Sequence, residues 1–165
     1  MNKWLLRIVI GVLVVGAVVI VVLLLLPNKQ PVPSTIKRQL GSTLLVPMGS
    51  SYTGVHDSAK FDGSTKLLSY RVTIAGAPSA TVSEQPAPSQ FTDIDGYYSQ
   101  FISDLGEYKS FGSTAGTVYL IHPKNAPKTQ VAVLTEAGTL MFVKPDANLS
   151  DSQWQAFFSA VQSIH

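Results

Sequence analysis

Side chains able to do chemistry are few in this chain, and they are scattered. There are three histidines, His56, His122 and His165, and no cysteine. A thiol nucleophile, a thiolate metal site and a disulfide are thereby excluded. His56 adjoins Asp57, but an acyl-transfer site needs a nucleophile, a base and an orienting acid brought together in space. No Gly-x-Ser-x-Gly elbow is present to supply the first. His122 precedes Pro123 and reads as a turn residue, and His165 reads as a frayed end. A hydrolase using His56 or His122 is therefore the least favoured function, and a non-enzymatic role is preferred. Asp93-Ile94-Asp95-Gly96 has the start of a calcium loop without its remaining ligands. The Gly49 and Gly54 pair has phosphate-loop spacing, but Val55-His56 stands where Lys-Ser/Thr is required. No metal or cofactor is expected.

Glu84 is the carboxylate that most needs explaining. It shares strand parity with Ala80 and Val82, so regular alternation points it toward the core. A carboxylate there needs a hydrogen-bond partner or an upward pKa shift. The favoured reading is that a bulge, or the strand end before Pro86, turns it outward. Facing inward, it would find its partner in Tyr97 or Tyr98. With Phe101 and Trp154 these residues form a candidate ligand-binding set: Glu84, Tyr97, Tyr98, Phe101 and Trp154.

The elements that must position these groups begin with a membrane signature. Residues 8–26 are 19 positions of Ile, Val, Leu, Gly and Ala only. As a helix they span about 28 Å, close to the thickness of a bilayer's hydrocarbon. Residues 1–26 are expected to be an uncleaved signal-anchor helix, in the lipid bilayer through residues 4–26 with Trp4 at the interface. Residues 27–33 carry Pro27, Pro31 and Pro33 and read as a stiff stalk. Residues 34–165 read as the soluble domain, placed outside the cytoplasmic membrane with the N-terminus inside. Of the 12 basic residues, Lys3, Arg7 and Lys29 flank the apolar run, and the domain keeps nine against all ten acidic ones. No basic patch is visible, so nucleic acid is not an expected partner.

The domain reads as α+β. Residues 34–40 suggest a short helix with Ser34 as cap and Gly41 as stop. Strands are expected at 43–46, 55–61, 67–75 and 79–85, with 62–65 turning the middle pair into a hairpin. Ile94, Tyr97, Tyr98, Phe101, Ile102 and Leu105 make a helical stripe, with Thr92 and Asp95 as its capping box and Gly106 as its end. Further strands are expected at 117–122, 130–135 and 139–144, the last two joined through Ala137-Gly138. Ser150 and Gln153 form a capping box, with Leu149 and Trp154 at staple positions, for a helix carrying Trp154, Phe157, Phe158 and Val161. Tight turns between successive strands imply antiparallel pairing. The expectation is an antiparallel sheet of six or seven strands with helices packed against it.

Val82-Ser83-Glu84-Gln85-Pro86-Ala87-Pro88, with the apolar run before it and the Trp154 helix after it, resembles small membrane-anchored extracytoplasmic bacterial domains of unknown function. The resemblance covers most of the chain and implies no catalytic residue. The element order is also similar to half-barrel lipid-carrier or envelope-stress-sensor domains, and to sheet-plus-helix domains of the photosystem-accessory type, a likeness of order alone. The expected function is a non-catalytic binding module of the cell envelope with an unknown protein or small-molecule partner. An apolar-ligand or lipid carrier is the alternative.

Overall fold

A computed structural model describes residues 32–164. The expected anchor and nearly all of the stalk lie outside the described residues. In chain order the elements are α1 (Ser34–Leu40), β1 (Leu44–Pro47), β2 (Tyr52–Thr53), α2 (Val55–Ser58), β3 (Lys60–Asp62), β4 (Leu67–Ile74) and β5 (Ala80–Pro86). They continue with α3 (Gln90–Asp93), α4 (Tyr97–Leu105), β6 (Gly106–Ser113), β7 (Gly116–Pro123), β8 (Val131–Glu136), β9 (Thr139–Pro145), α5 (Asp151–Ala160) and β10 (Val161–Ile164).

The fold is α+β, with every described strand pair antiparallel. The main sheet runs β2-β4-β5-β9-β8-β7-β6, with β3 also paired to β4, and a separate two-stranded sheet joins β1 to β10. Each strand of the β6–β9 meander follows a short connection, and the last returns to pair with β5. Alternation assigns the two faces. Leu68, Tyr70 and Val72 of β4, Val82 of β5, Leu134 of β8 and Met141 of β9 share one core with β1, Trp154, Phe157 and Phe158. Ile121, Val133 and Leu140 point the other way, into a second core with Ile102 of α4. β7, β8 and β9 are thus apolar on both sides because each side is covered.

Several expectations hold locally. Ala137 and Gly138 both have positive φ (48° and 77°), as a two-residue hairpin turn requires. The Ser150 capping box is complete, with Gln153 N–H on Ser150 Oγ and Ser150 N–H on Gln153 Oε1. Gly41 ends α1 in the left-handed conformation, but Ser34 makes no cap, since the helix starts after Pro33.

Other expectations are corrected. Residues 55–58 are a helical turn, not strand. Gly54, at φ 86°, redirects the chain, and Ser58 Oγ accepts from Arg71 N–H at 2.7 Å, where a strand partner would have bonded. Thr92 and Asp95 form no capping box: α3 ends at Asp93, and α4 begins after left-handed Gly96 with no side-chain cap. Gly106 does end α4, but the chain enters β6 at once. Val161 opens β10 rather than continuing the last helix. Among the described residues the main sheet therefore has eight strands rather than six or seven. β6 has no apolar alternation to reveal it, and β10 is defined by a partner more than a hundred positions away, β1.

Candidate functional site

Glu84 faces inward and is fully buried, which overturns the outward reading: β5 is regular to its end and pairs with β4 and β9 in unbroken register. Its partner is neither Tyr97 nor Tyr98. Leu45 N–H donates to Glu84 Oε2 at 2.8 Å, and Tyr70 Oη lies 2.7 Å from Glu84 Oε1 and 3.0 Å from the Leu45 carbonyl oxygen. Leu45 stands opposite Ser163, while Met48 N–H bonds to Ala160 O two residue pairs beyond Val46 and Gln162. In antiparallel pairing the bonded pairs alternate, so the N–H and C=O of Leu45 point away from β10. Glu84 and Tyr70 occupy the place of a third strand beside β1. Thr139 Oγ1 adds a further bond to Thr43 O.

Tyr70 carries one phenolic proton and has two acceptors in reach. When Glu84 is protonated, its hydroxyl donates to Tyr70 Oη, Tyr70 donates to Leu45 O, and every polar group in the ring is satisfied. When Glu84 is ionised, the phenol must turn to the carboxylate, and the Leu45 carbonyl loses its donor. Burial pushes the Glu84 carboxyl up to about 7, against the lowering pull of the Leu45 and Tyr70 hydrogen bonds. Burial and the neighbouring carboxylate push the Tyr70 phenol well above its usual range. Among the described residues no salt bridge reaches Glu84. The ring ties β1 to the sheet, and burial favours the protonated form of the carboxyl within it. The sequence carried one clue to Tyr70: it shares the buried parity of β4.

The remaining candidate residues divide between the faces. Trp154 lies in the Glu84 core and donates its indole N–H to Gln130 Oε1 at 3.0 Å. Tyr98 and Phe101 pack in the opposite core, and Tyr97 is 44% exposed beside them. The five residues expected to share a cleft are therefore separated by the sheet. On the α4 face the rings form a continuous band. Phe91 touches Tyr97, Tyr98 and Phe101 (centroids 6.1, 4.8 and 5.1 Å), Tyr98 meets Tyr119 at 5.7 Å, and Tyr119 meets Tyr108 at 5.7 Å. Tyr97 and Tyr108 are the exposed rings on it, and Ile94, just before Tyr97 in the chain, is exposed as well. Burial raises the Tyr98 phenol, and among the described residues its oxygen has no hydrogen-bond partner of ordinary geometry.

His165 lies outside the described residues, and the two described histidines do not converge. His56 Nδ1 is 3.2 Å from Asp57 Oδ1 at the surface, beside β4. His122 Nδ1 is 3.1 Å from Pro127 O on β7, four strand spacings from β4, or about 19 Å. The hydroxyl nearest His56 in sequence, Ser58 Oγ, is engaged by the backbone of Gly54 and Arg71. Among the described residues no three His, Asp or Glu side chains are placed to hold a metal ion. Comparison with family models, with curated proteins and with solved structures gives no match for this chain.

Proposed function

We propose that this chain is a single-pass, membrane-anchored extracytoplasmic protein of the cell envelope whose domain is a non-catalytic binding module, and that the aromatic band on the α4 face is its binding surface. The observation that carries the reading is the exposure of Tyr97 and Tyr108 on half-buried rings that hold them in place, with exposed Ile94 three residues before Tyr97. Aromatic side chains lose little conformational freedom on binding, which suits them to contact surfaces. The opposite face is occupied by α1, α5 and the β1–β10 pair. Membrane attachment rests on the apolar run of residues 8–26.

The test is cross-linking of the full chain in its own membrane. An Ile94→Ser/Tyr97→Ala double variant, both positions being exposed, should keep its fold and lose the adduct. Undiminished adducts would place binding elsewhere. Native mass spectrometry of the detergent-released chain addresses the carrier alternative, because a retained small-molecule mass would favour it. Resistance to alkaline extraction, with protease access to the domain only from outside, checks the anchor and its orientation.

A further inference from the structure

β6 is the long edge of the main sheet. Its partner is β7 on one side, and no described strand pairs with the other. Lys124 N–H bonds to Leu105 O at 3.1 Å, one step before the Gly106–Pro123 pair. By alternation, Glu107, Lys109 and Phe111 bond inward to β7, and the N–H and C=O groups of Gly106, Tyr108 and Ser110 point outward. Residues 107–110 are all exposed. Edges of this length are templates for another strand unless something blunts them.

We propose that the strand added to this edge is β6 of a second copy of this chain, paired antiparallel about a two-fold axis at Tyr108. That register sets Glu107 opposite Lys109 of the second copy, and Lys109 opposite its Glu107, so an opposite-charge pair forms on each side of the axis. It also sets Tyr108 opposite itself and Gly106 opposite Ser110, the residues whose backbone groups face outward. A register centred on Lys109 would oppose like charges, and one centred on Ser110 would leave Lys109 opposite Phe111. Lys109 now bonds to Asp151 Oδ1 at 2.6 Å, with both side chains exposed. Asp151, Lys109 and Glu107 lie on the same side of the sheet, so the ammonium group can sit between the two carboxylates.

The place where the described residues begin agrees with this geometry. An axis relating antiparallel neighbours within one sheet is perpendicular to that sheet, so it leaves each face on its own side. Val32, Leu40 and β1 all pack on the Glu84 face. The two copies of Val32 would then lie on the same side of the joined sheet, and both aromatic bands on the other. The shared side matters only if the chain is membrane-attached; the strand edge and its charges do not depend on that.

The absence of cysteine makes the test direct. Bonded antiparallel pairs have Cα atoms about 5.5 Å apart, inside the range a disulfide spans. In the full chain in cells, Tyr108→Cys should give a disulfide-linked dimer under mild oxidation, and Thr65→Cys, in the turn between β3 and β4, should not. Added to Tyr108→Cys, Glu107→Lys and Lys109→Glu should each reduce the cross-linked fraction several-fold, and the double exchange should restore it. Four results would each overturn the proposal: no dimer from folded Tyr108→Cys protein, stronger linkage through Ser110→Cys, linkage of the Tyr108→Cys chain only to another protein, or failure of the exchange to restore it. Fractionation of the same cells tests membrane attachment separately.

Discussion

Replacing Glu84 by Gln should abolish a specific pH dependence of stability. The folded-state pKa of Glu84 is about 7, against an ordinary value of 4.5. The folded state therefore binds more protons than the unfolded state between those values. Stability must fall as pH rises through that window and must level off on either side. A difference of 2.5 pKa units at 1.36 kcal/mol each corresponds to roughly 3 kcal/mol, as an order of magnitude. The Glu84→Gln side chain keeps the shape: its oxygen can accept from Leu45 N–H, and its amide can donate to Tyr70 Oη, leaving the phenolic proton for Leu45 O. The assay is urea unfolding of the domain from Val32 onward between pH 4.5 and 8.5, followed by Trp154, its sole tryptophan. The other titrating groups cancel in the difference between wild type and variant. That difference should grow by about 3 kcal/mol in favour of Glu84→Gln across the window. A flat difference curve, or one of opposite sign, would refute the proton-holding ring.

Tyr70→Phe removes the hydroxyl that bonds to Glu84 and donates to the Leu45 carbonyl. It should cost about 1–3 kcal/mol and speed hydrogen exchange at Leu45 before exchange in β7 and β8. Ser150→Ala breaks the capping box and should cost about 1 kcal/mol, read as a lowered urea midpoint with unchanged slope. At Gly106 an added Cβ would lie 2.0 Å from the His122 carbonyl oxygen. Gly106→Ala should therefore destabilise by about 1–3 kcal/mol, and Gly112→Ala, where nothing lies within 4 Å, should not. Arg71→Ala, at an ion pair with Asp146 that is half exposed on both sides, should change stability by less than about 1 kcal/mol at physiological salt.

The sequence alone determined what depends on near neighbours. The Ala137-Gly138 turn, the Ser150 cap, the stripe from Tyr97 to Leu105 and the alternation of β4 each rest on interactions within a few residues. The antiparallel α+β class followed from the short connections between strands. The expectation of a membrane anchor rests on the composition of residues 8–26 alone. Tertiary structure decided what depends on distant partners. β6 is visible only through its pairing with β7, because an exposed edge strand needs no apolar periodicity. β10 leaves the helical pattern because β1 binds it across the chain. Glu84 tolerates burial because Tyr70 and the backbone of Leu45, 14 and 39 positions away, close a hydrogen-bonded ring around it. Trp154 and Tyr98, alike in helical spacing, were sent to opposite cores by the path of the sheet between them. Periodicity shows that a side chain is buried, but the face it is buried against is set by the pairing order of the strands.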